Sequence, residues 1–325
     1  MENKQIKIKA IITGASGGKA DISDFIGDVS VSGAFKESSR TLDFKVLRGD
    51  VDKTLPSFNV DLGSAVKFFE KPDGQDVYIK FFEGVVWSKN VRDNTIDMDI
   101  SCYDKAIYLN KNQPETQVFN KKTAKQVAST VISELGLTPG KLADTGVDDY
   151  NLRDKTGYDA IMEAYKKDSE KTGKTYKLVD IDGKINVFEA GEMVDVVIEE
   201  LNEPVVGKLL DTSYRESLDD LINEVKALED EKKDEKKDGG SDGASQERFG
   251  KIQKVLKGDS SEVAGLMKGA KQEVDVKCIG NWDMVSGKSI MLKSSIISGK
   301  FYIESDKHYL DDAVHTVDLK LVSEF

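Results

Sequence analysis

Apolar and polar residues alternate with period two near both ends of this chain, and that pattern commits both ends to half-buried β-strands. Near the start, Ile6, Ile8 and Ala10 alternate with lysine and glutamine, and Leu42, Phe44 and Val46 alternate with polar partners. Two apolar-rich runs, Ala65 to Glu70 and Val77 to Phe82, are joined through Pro72, Asp73 and Gly74, a trio that predicts a hairpin turn. Gly84 is read as a break before Val85, Val86 and Trp87, and Arg92 to Asn94 leads into a last alternating run from Thr95 to Tyr103. Strand signals return at Val274 to Cys278, Ile290 to Leu292, Phe301 to Ile303 and Val317 to Leu321, after a helix-like stretch around Ala264 to Ala270.

The middle of the chain has a different period. Thr123 and Gln126 make a capping-box pair ahead of Val127, Val131 and Leu135, spaced four apart, and Gly136 with Pro139 ends the helix. A second helical pattern runs from about Tyr158 to Ser169. Beyond it, Tyr176 to Ile181 and Lys184 to Phe188 flank Asp182 and Gly183, the two-residue turn of a tight hairpin. The expected class is α+β: two β-rich, tube-like barrel domains flanking a small α/β insert domain. The boundaries are 1–115, 116–200 and 201–325. A disordered linker is expected at 229–245, because Glu229 to Gly243 has no apolar side chain but seven acidic and four basic residues.

With 325 residues, the chain is long enough for two or three compact units. Its net charge of −12 repels phosphate backbones and anionic headgroups, so neither nucleic acid binding nor membrane insertion is expected. No apolar run at the start reads as a secretion signal, and no stretch approaches a bilayer span. Cys102 and Cys278 fall on apolar rows and read as core thiols, with a disulfide the open alternative.

Local motifs fail one by one. The string from Ile11 to Lys19, with Gly14, Gly17 and Gly18, lacks the spacing of a P-loop, and Ala20 replaces the hydroxyl residue that would hold magnesium. Ala20 also stands where a short-chain dehydrogenase fingerprint needs its last glycine, and none of the ten tyrosines has lysine four residues later. A loop between strands is the remaining reading. His308 and His315, even with Asp311 or Asp312, lack the spacing of a zinc site, and both read as surface or turn histidines. The pairs Asp148 with Asp149 and Asp219 with Asp220 are what a chain with 59 acidic residues produces by chance. No Gly-x-Ser-x-Gly elbow occurs, and Trp87 and Trp282 read as packing residues. No catalytic, cofactor-binding or metal residue is assigned, no cofactor is expected, and the chain reads as a structural protein rather than an enzyme.

Several longer strings carry a resemblance. They are "FFEGVV", "DISCYDKAIYLNKN" from Asp99 to Asn112, "KTAKQVASTVISELGL" from Lys122 to Leu137 and "YDAIMEAYKKDSEKTGKTYKL" from Tyr158 to Leu178. They continue with "ESLDDLINEVKAL" from Glu216, "RFGKIQKVL" from Arg248 and "SGKFYIESDKHYL" from Ser298 to Leu310. In this order they resemble the baseplate hub proteins of contractile phage tails and phage-derived bacteriocins, the XkdQ/YqbQ group, over most of residues 40–325. The resemblance implies a homotrimeric symmetry adaptor between a six-fold tail tube and a three-fold spike. Its implied partners are itself, the tail tube protein, the central spike protein and other baseplate proteins. It also implies assembly in the bacterial cytoplasm, within a particle released by lysis. The alternative of another class is a cell-wall glycan-binding or lytic tail-associated protein, with residues 116–200 the place for such a module.

Overall fold

The computed structural model describes residues 6–14, 17–56, 60–71, 76–93, 95–230, 233–257, 266–311 and 314–324. The chain forms two compact units, one of residues 1–212 with 275–325 and one of residues 213–274.

The larger unit begins with seven strands, β1 (Lys7–Thr13), β2 (Lys19–Asp21), β3 (Ile26–Ala34), β4 (Thr41–Leu47), β5 (Ala65–Lys71), β6 (Ile79–Val91) and β7 (Asp97–Tyr103). Their inward rows are those the alternation predicts: Leu42, Phe44 and Val46 of β4, and Ile100 and Cys102 of β7, are buried while the residues between them are half-buried. β5 and β6 pair as the expected hairpin, whose turn residues Pro72, Asp73 and Gly74 lie outside the described residues. Gly84 does not break β6. It sits inside the strand, where a Cβ would come within 2.2 Å of the Tyr103 carbonyl oxygen, so close approach of backbone is what demands glycine there.

A short helix α1 (Ile107–Lys111) leads into the α/β segment, which contains β8 (Val118–Thr123), α2 (Ala124–Glu134), β9 (Thr138–Leu142), β10 (Val147–Asn151), α3 (Gly157–Thr172), β11 (Tyr176–Ile181) and β12 (Lys184–Glu189). The capping box is present in full: Thr123 Oγ1 accepts from the Gln126 backbone N–H, and the Gln126 side chain accepts from the Thr123 backbone N–H. Both residues of the β11–β12 turn, Asp182 and Gly183, have positive φ, as that hairpin type requires. α2 and α3 bury Val127, Val131, Ile132, Ala160, Ile161 and Ala164 with Leu178, Ile185 and Val187 in one apolar cluster.

The chain then forms β13 (Met193–Glu199) and leaves along β14 (Leu209–Ser217). It returns through β18 (Lys271–Ile279), β19 (Ser289–Lys293), β20 (Ser298–Asp311) and β21 (Val314–Val322), after the smaller unit's elements β15 (Glu224–Asp230), β16 (Lys233–Ser241), α4 (Gly243–Phe249) and β17 (Gln253–Lys257). The main sheet runs β18-β21-β20-β3-β4-β7-β6-β5-β1-β2, with β19 also on β20 and β13 on β19. The first and last β regions are therefore one sheet, joined where β3 pairs antiparallel with β20. The class is strand-rich α+β, and among the described residues no closed barrel is formed.

In the smaller unit, β15 pairs antiparallel with β16 and parallel with β17. The stretch expected to be a linker, 229–245, falls within this unit, and 231–232 lie outside the described residues. β16 contributes backbone to a ladder whose neighbour β15 carries Val225 into a small core with Ile222, Leu266 and Met267, so a strand without apolar residues needs no core of its own. Asp242 then caps α4 by accepting from the Ser245 backbone N–H. Of the helix expected around Ala264 to Ala270, 264 and 265 lie outside the described residues, and Lys268 instead bridges antiparallel to Ile222.

Candidate functional site

Three alternating strands carry ionisable residues on their inward rows. On β5 the buried row is Val66, Phe68 and Glu70; on β21 it opens with His315 before Val317 and Leu319; and on β20 Asp306, His308 and Leu310 are buried. The fold collects these side chains into a line. Arg40, just ahead of β4, holds the Asp306 carboxylate through both guanidinium NH2 groups, and the Ser286 backbone N–H donates to the same carboxylate at 2.6 Å. His308 Nε2 lies 3.2 Å from Asp306, a charge contact that falls short of hydrogen-bond geometry. His308 Nδ1 is 2.8 Å from His315 Nε2, and His315 Nδ1 is 3.7 Å from Glu70. The Trp282 indole N–H donates to the same Glu70 oxygen at 2.6 Å, with its ring stacked on Phe81 at a centroid distance of 4.4 Å.

A second buried group adjoins Arg40. Asp104 accepts from the backbone N–H groups of Arg40 at 2.8 Å and Ala106 at 3.0 Å, and Asp180 accepts from Lys105 and Gly183. Lys177 of β11 spends its ammonium on three carbonyls, those of Ala34, Phe35 and Glu37, which ties the β11–β12 hairpin to the turn after β3. A cavity of about 380 Å³ lies beside these groups, lined among others by Arg40, Lys80, Asp104, Lys177, Asp180 and Trp282.

Burial sets the electrostatics. It pushes the Asp104 carboxyl up to about 8, with Asp180 adding to the rise, and Asp180 itself up to about 6. Together with the neighbouring Arg40 charge, it lowers Lys177 to about 8. Burial alone would raise Asp306, but Arg40 and His308 hold it well below the usual carboxylate range. Both histidines are depressed, His315 to about 3, chiefly by burial, and Glu70 is raised by burial. The arrangement can hold charge and protons inside the fold. Among the described residues, no group of three or more His, Cys, Asp or Glu has the placement to hold a metal ion.

The residues weighed from sequence fall as follows. His308 and His315 are not surface or turn histidines; both are buried, on the paired strands β20 and β21, because strand alternation puts them on the inward row. Asp312 lies outside the described residues, as does the side chain of Asp311. Cys102 and Cys278 are free and buried. Trp87 packs edge-on against Tyr103 and Tyr108. Gly14 and Gly18 close a loop between β1 and β2 through a backbone bond of 3.0 Å. Sequence reasoning missed Arg40, Glu70, Asp104, Lys177, Asp180 and Asp306. For Glu70 a signal existed in the phase of the alternation, which continues the row of Val66 and Phe68, whereas the bulge between Ile303 and Ser305 puts Asp306 out of phase with Phe301 and Ile303.

The model of one protein family, described as YQBQ-like, matches residues 29–322. The chain belongs to the YQBQ-like family. It is 25% identical to YqbQ of Bacillus subtilis over 311 residues, which span 90% of this chain and 91% of that one. Over the same length it is 23% identical to XkdQ, a protein of the phage-like element PBSX of the same organism. Among solved structures, its fold is shared with the 43 kDa tail protein of prophage MuSo2 from Shewanella oneidensis. That likeness has a TM-score of 0.68 at 14% identity and covers 97% of this chain and 98% of that one. A chain of the PdpA–VgrG complex is similar with a TM-score of 0.59 at 10% identity, over 99% of this chain and 65% of that one.

Proposed function

We propose that this chain is the structural baseplate hub of a contractile tail-like particle, a homotrimeric adaptor that joins a six-fold tail tube to a three-fold spike. The observation that carries the reading is the fold, shared over nearly the whole chain with a prophage tail protein and with a chain of a VgrG complex, beside a sequence relative from a phage-like element. In this reading the strands around β3–β7 and those around β18–β21 act as two tube-like regions per chain. Three chains then offer six similar faces to the tube and three-fold symmetry to the spike. The three-part division at 1–115, 116–200 and 201–325 is retained for this role.

The partners are two further copies, the tube protein, the spike protein and other baseplate proteins, met during cytoplasmic assembly of a particle released by lysis. Met193 and Val197 of β13, with Val205, Val206 and Leu210 after it, are exposed apolar residues of the kind an assembly interface covers. Each contact should bury more than about 1,000 Å². The role needs no catalysis, and the purified protein is expected to carry no stoichiometric zinc, nucleotide or flavin, which elemental analysis and absorbance spectra check. The deciding experiment is a reconstruction of the particle. Three copies on the axis between tube and spike are expected; six copies, or a position on sheath or fibres, overturn the adaptor.

A further inference from the structure

Two exposed regions of the larger unit carry charge of opposite sign beside exposed apolar side chains. In the first, β1 starts, β5 stops and β6 starts at one end of the sheet. Lys7 stands directly opposite Lys71 there, and Ile8, Glu70 and Ile79 form the next row. Like charges placed opposite each other on a sheet repel, so the fold carries a lysine cluster at a cost, in a chain whose net charge is −12. Among the described residues, Lys7 and Lys9 of β1 and Lys19 of β2 make no ion pair. Lys9 lies over the Tyr78 ring at 5.7 Å, and Lys71 reaches only the exposed Asp76. Beside them Val77, Tyr78 and Ile79 are three consecutive exposed apolar residues.

The second region surrounds β13. Met193, Asp195 and Val197 form the exposed row of that strand, and Val205 and Val206 are exposed in the turn before β14. The charges without a partner are acidic here: among the described residues, Glu192, Asp195 and Glu203 make no ion pair. β1 and β2 end the strand order of the main sheet, and β13 ends the branch that leaves it through β19. The two regions therefore belong to different ends of one sheet.

We propose that these regions are the two halves of one contact between copies of this chain: the lysine face at β1, β5 and β6 of one copy seats on the acidic face at β13 of the next. The inference deepens the hub reading and rests on its premise that copies of the chain pack against one another. Charge decides the pairing. A contact of either face with itself sets lysines against lysines or carboxylates against carboxylates, so a two-fold dimer through them is repelled. The unlike faces attract, and a contact between unlike faces repeats head to tail and can close into a ring. Apolar side chains stand beside the charges on both faces, so the contact buries hydrocarbon while the charges around it pair. Lysines on edge strands also guard a sheet against stray pairing. That purpose does not call for Lys71, which is on an inner strand, or for the exposed residues Val77 to Ile79 beside it.

The test is sedimentation equilibrium of the full chain at low ionic strength, with charges reversed on one face or on both. The wild type should associate, and the association should weaken as salt is raised. Lys7→Glu, Lys9→Glu and Lys71→Glu together should weaken it by at least about a hundredfold, because like charges then face each other. Glu192→Lys, Asp195→Lys and Glu203→Lys together should do the same. All six reversals in one chain make the faces complementary again and should recover the wild-type constant to within about tenfold. Circular dichroism checks that each variant folds; if the lysine reversal does not, the acidic reversal and the salt dependence of the wild type decide. A wild type that stays monomeric at low salt, a one-face reversal that associates like the wild type, or a six-residue reversal that fails to recover overturns the proposal. A monomeric wild type overturns it without touching the hub reading, which the particle reconstruction tests. Recovery with a copy number other than three upholds the two faces and sinks the trimer.

Discussion

The core of the α/β segment is built from apolar side chains that lie close together in sequence, whereas the junction beside it is built from ionisable ones drawn from positions 40 to 315. Both are dry. In the first, burial is itself the driving force, at roughly 25 cal/mol per Å² of apolar surface. In the second, burial opposes every charge, and only partners already in place make the arrangement tolerable. The comparison teaches that the two regions should fail differently. Truncation in the apolar core leaves a hole, while truncation in the junction leaves a charge.

The largest expected effect comes from Arg40→Ala. It strands the fully buried Asp306 carboxylate without its guanidinium, and breaking a buried pair in this way costs about 3–5 kcal/mol. Denaturant unfolding at neutral pH measures it. A loss below about 1 kcal/mol would mean that the junction is hydrated and that the contrast fails.

Ile161→Ala on α3 tests the other side. Ile161 is fully buried among Val131, Ala128 and their neighbours, so the transfer and cavity costs together should reach about 2–5 kcal/mol. No ionisable partner is involved, so the loss should be the same at pH 5.5 and pH 7.5. A loss that changes with pH would show that the two regions are not independent.

The apolar core was legible because its signal is local. Val127, Val131 and Leu135 recur at helical spacing behind a cap, and Asp182–Gly183 names its own turn. The strand rows at both ends were legible for the same reason. The junction was not, because partners such as Arg40 and Asp306 are 266 residues apart and nothing local tells a buried aspartate from the many exposed ones. Only the phase of alternation pointed to Glu70 and His315, against the usual rule that charged residues face water. The strand β16 has no signature of its own in the sequence, because its pairing with β15 is made through the backbone.

Asp104→Asn sharpens the junction half of the comparison through pH. The folded carboxyl, pushed up to about 8, holds its proton over a range where the unfolded one, near 3.8, has lost it. Stability should therefore fall as pH rises between those values, by up to about tenfold in the unfolding constant, or about 1.4 kcal/mol, per pH unit. Asparagine removes the titration, so the difference between wild type and variant should change with that slope between pH 5 and pH 7.5. Parallel stability curves would show that Asp104 is ionised in the fold.

The smallest effect separates local from tertiary support within the apolar half. Thr123 closes the N-terminus of α2 by accepting from the Gln126 backbone N–H, while Gln126 returns the bond to the Thr123 N–H. Alanine at 123 removes the first of these bonds and leaves the second with no hydroxyl to set its geometry, at a cost of about 1 kcal/mol. The freed donor lies at an exposed helix end, where water replaces part of the lost bond, so the loss should stay well below that of Ile161→Ala. Exchange should quicken in the first turn of α2 while amides near Val131 and Ile132 stay protected, because those are held by packing against α3. If the whole helix instead lost protection together with β8 and β10, the cap would be supporting the segment rather than trimming one end. The apolar core would then depend, like the junction, on a few polar contacts.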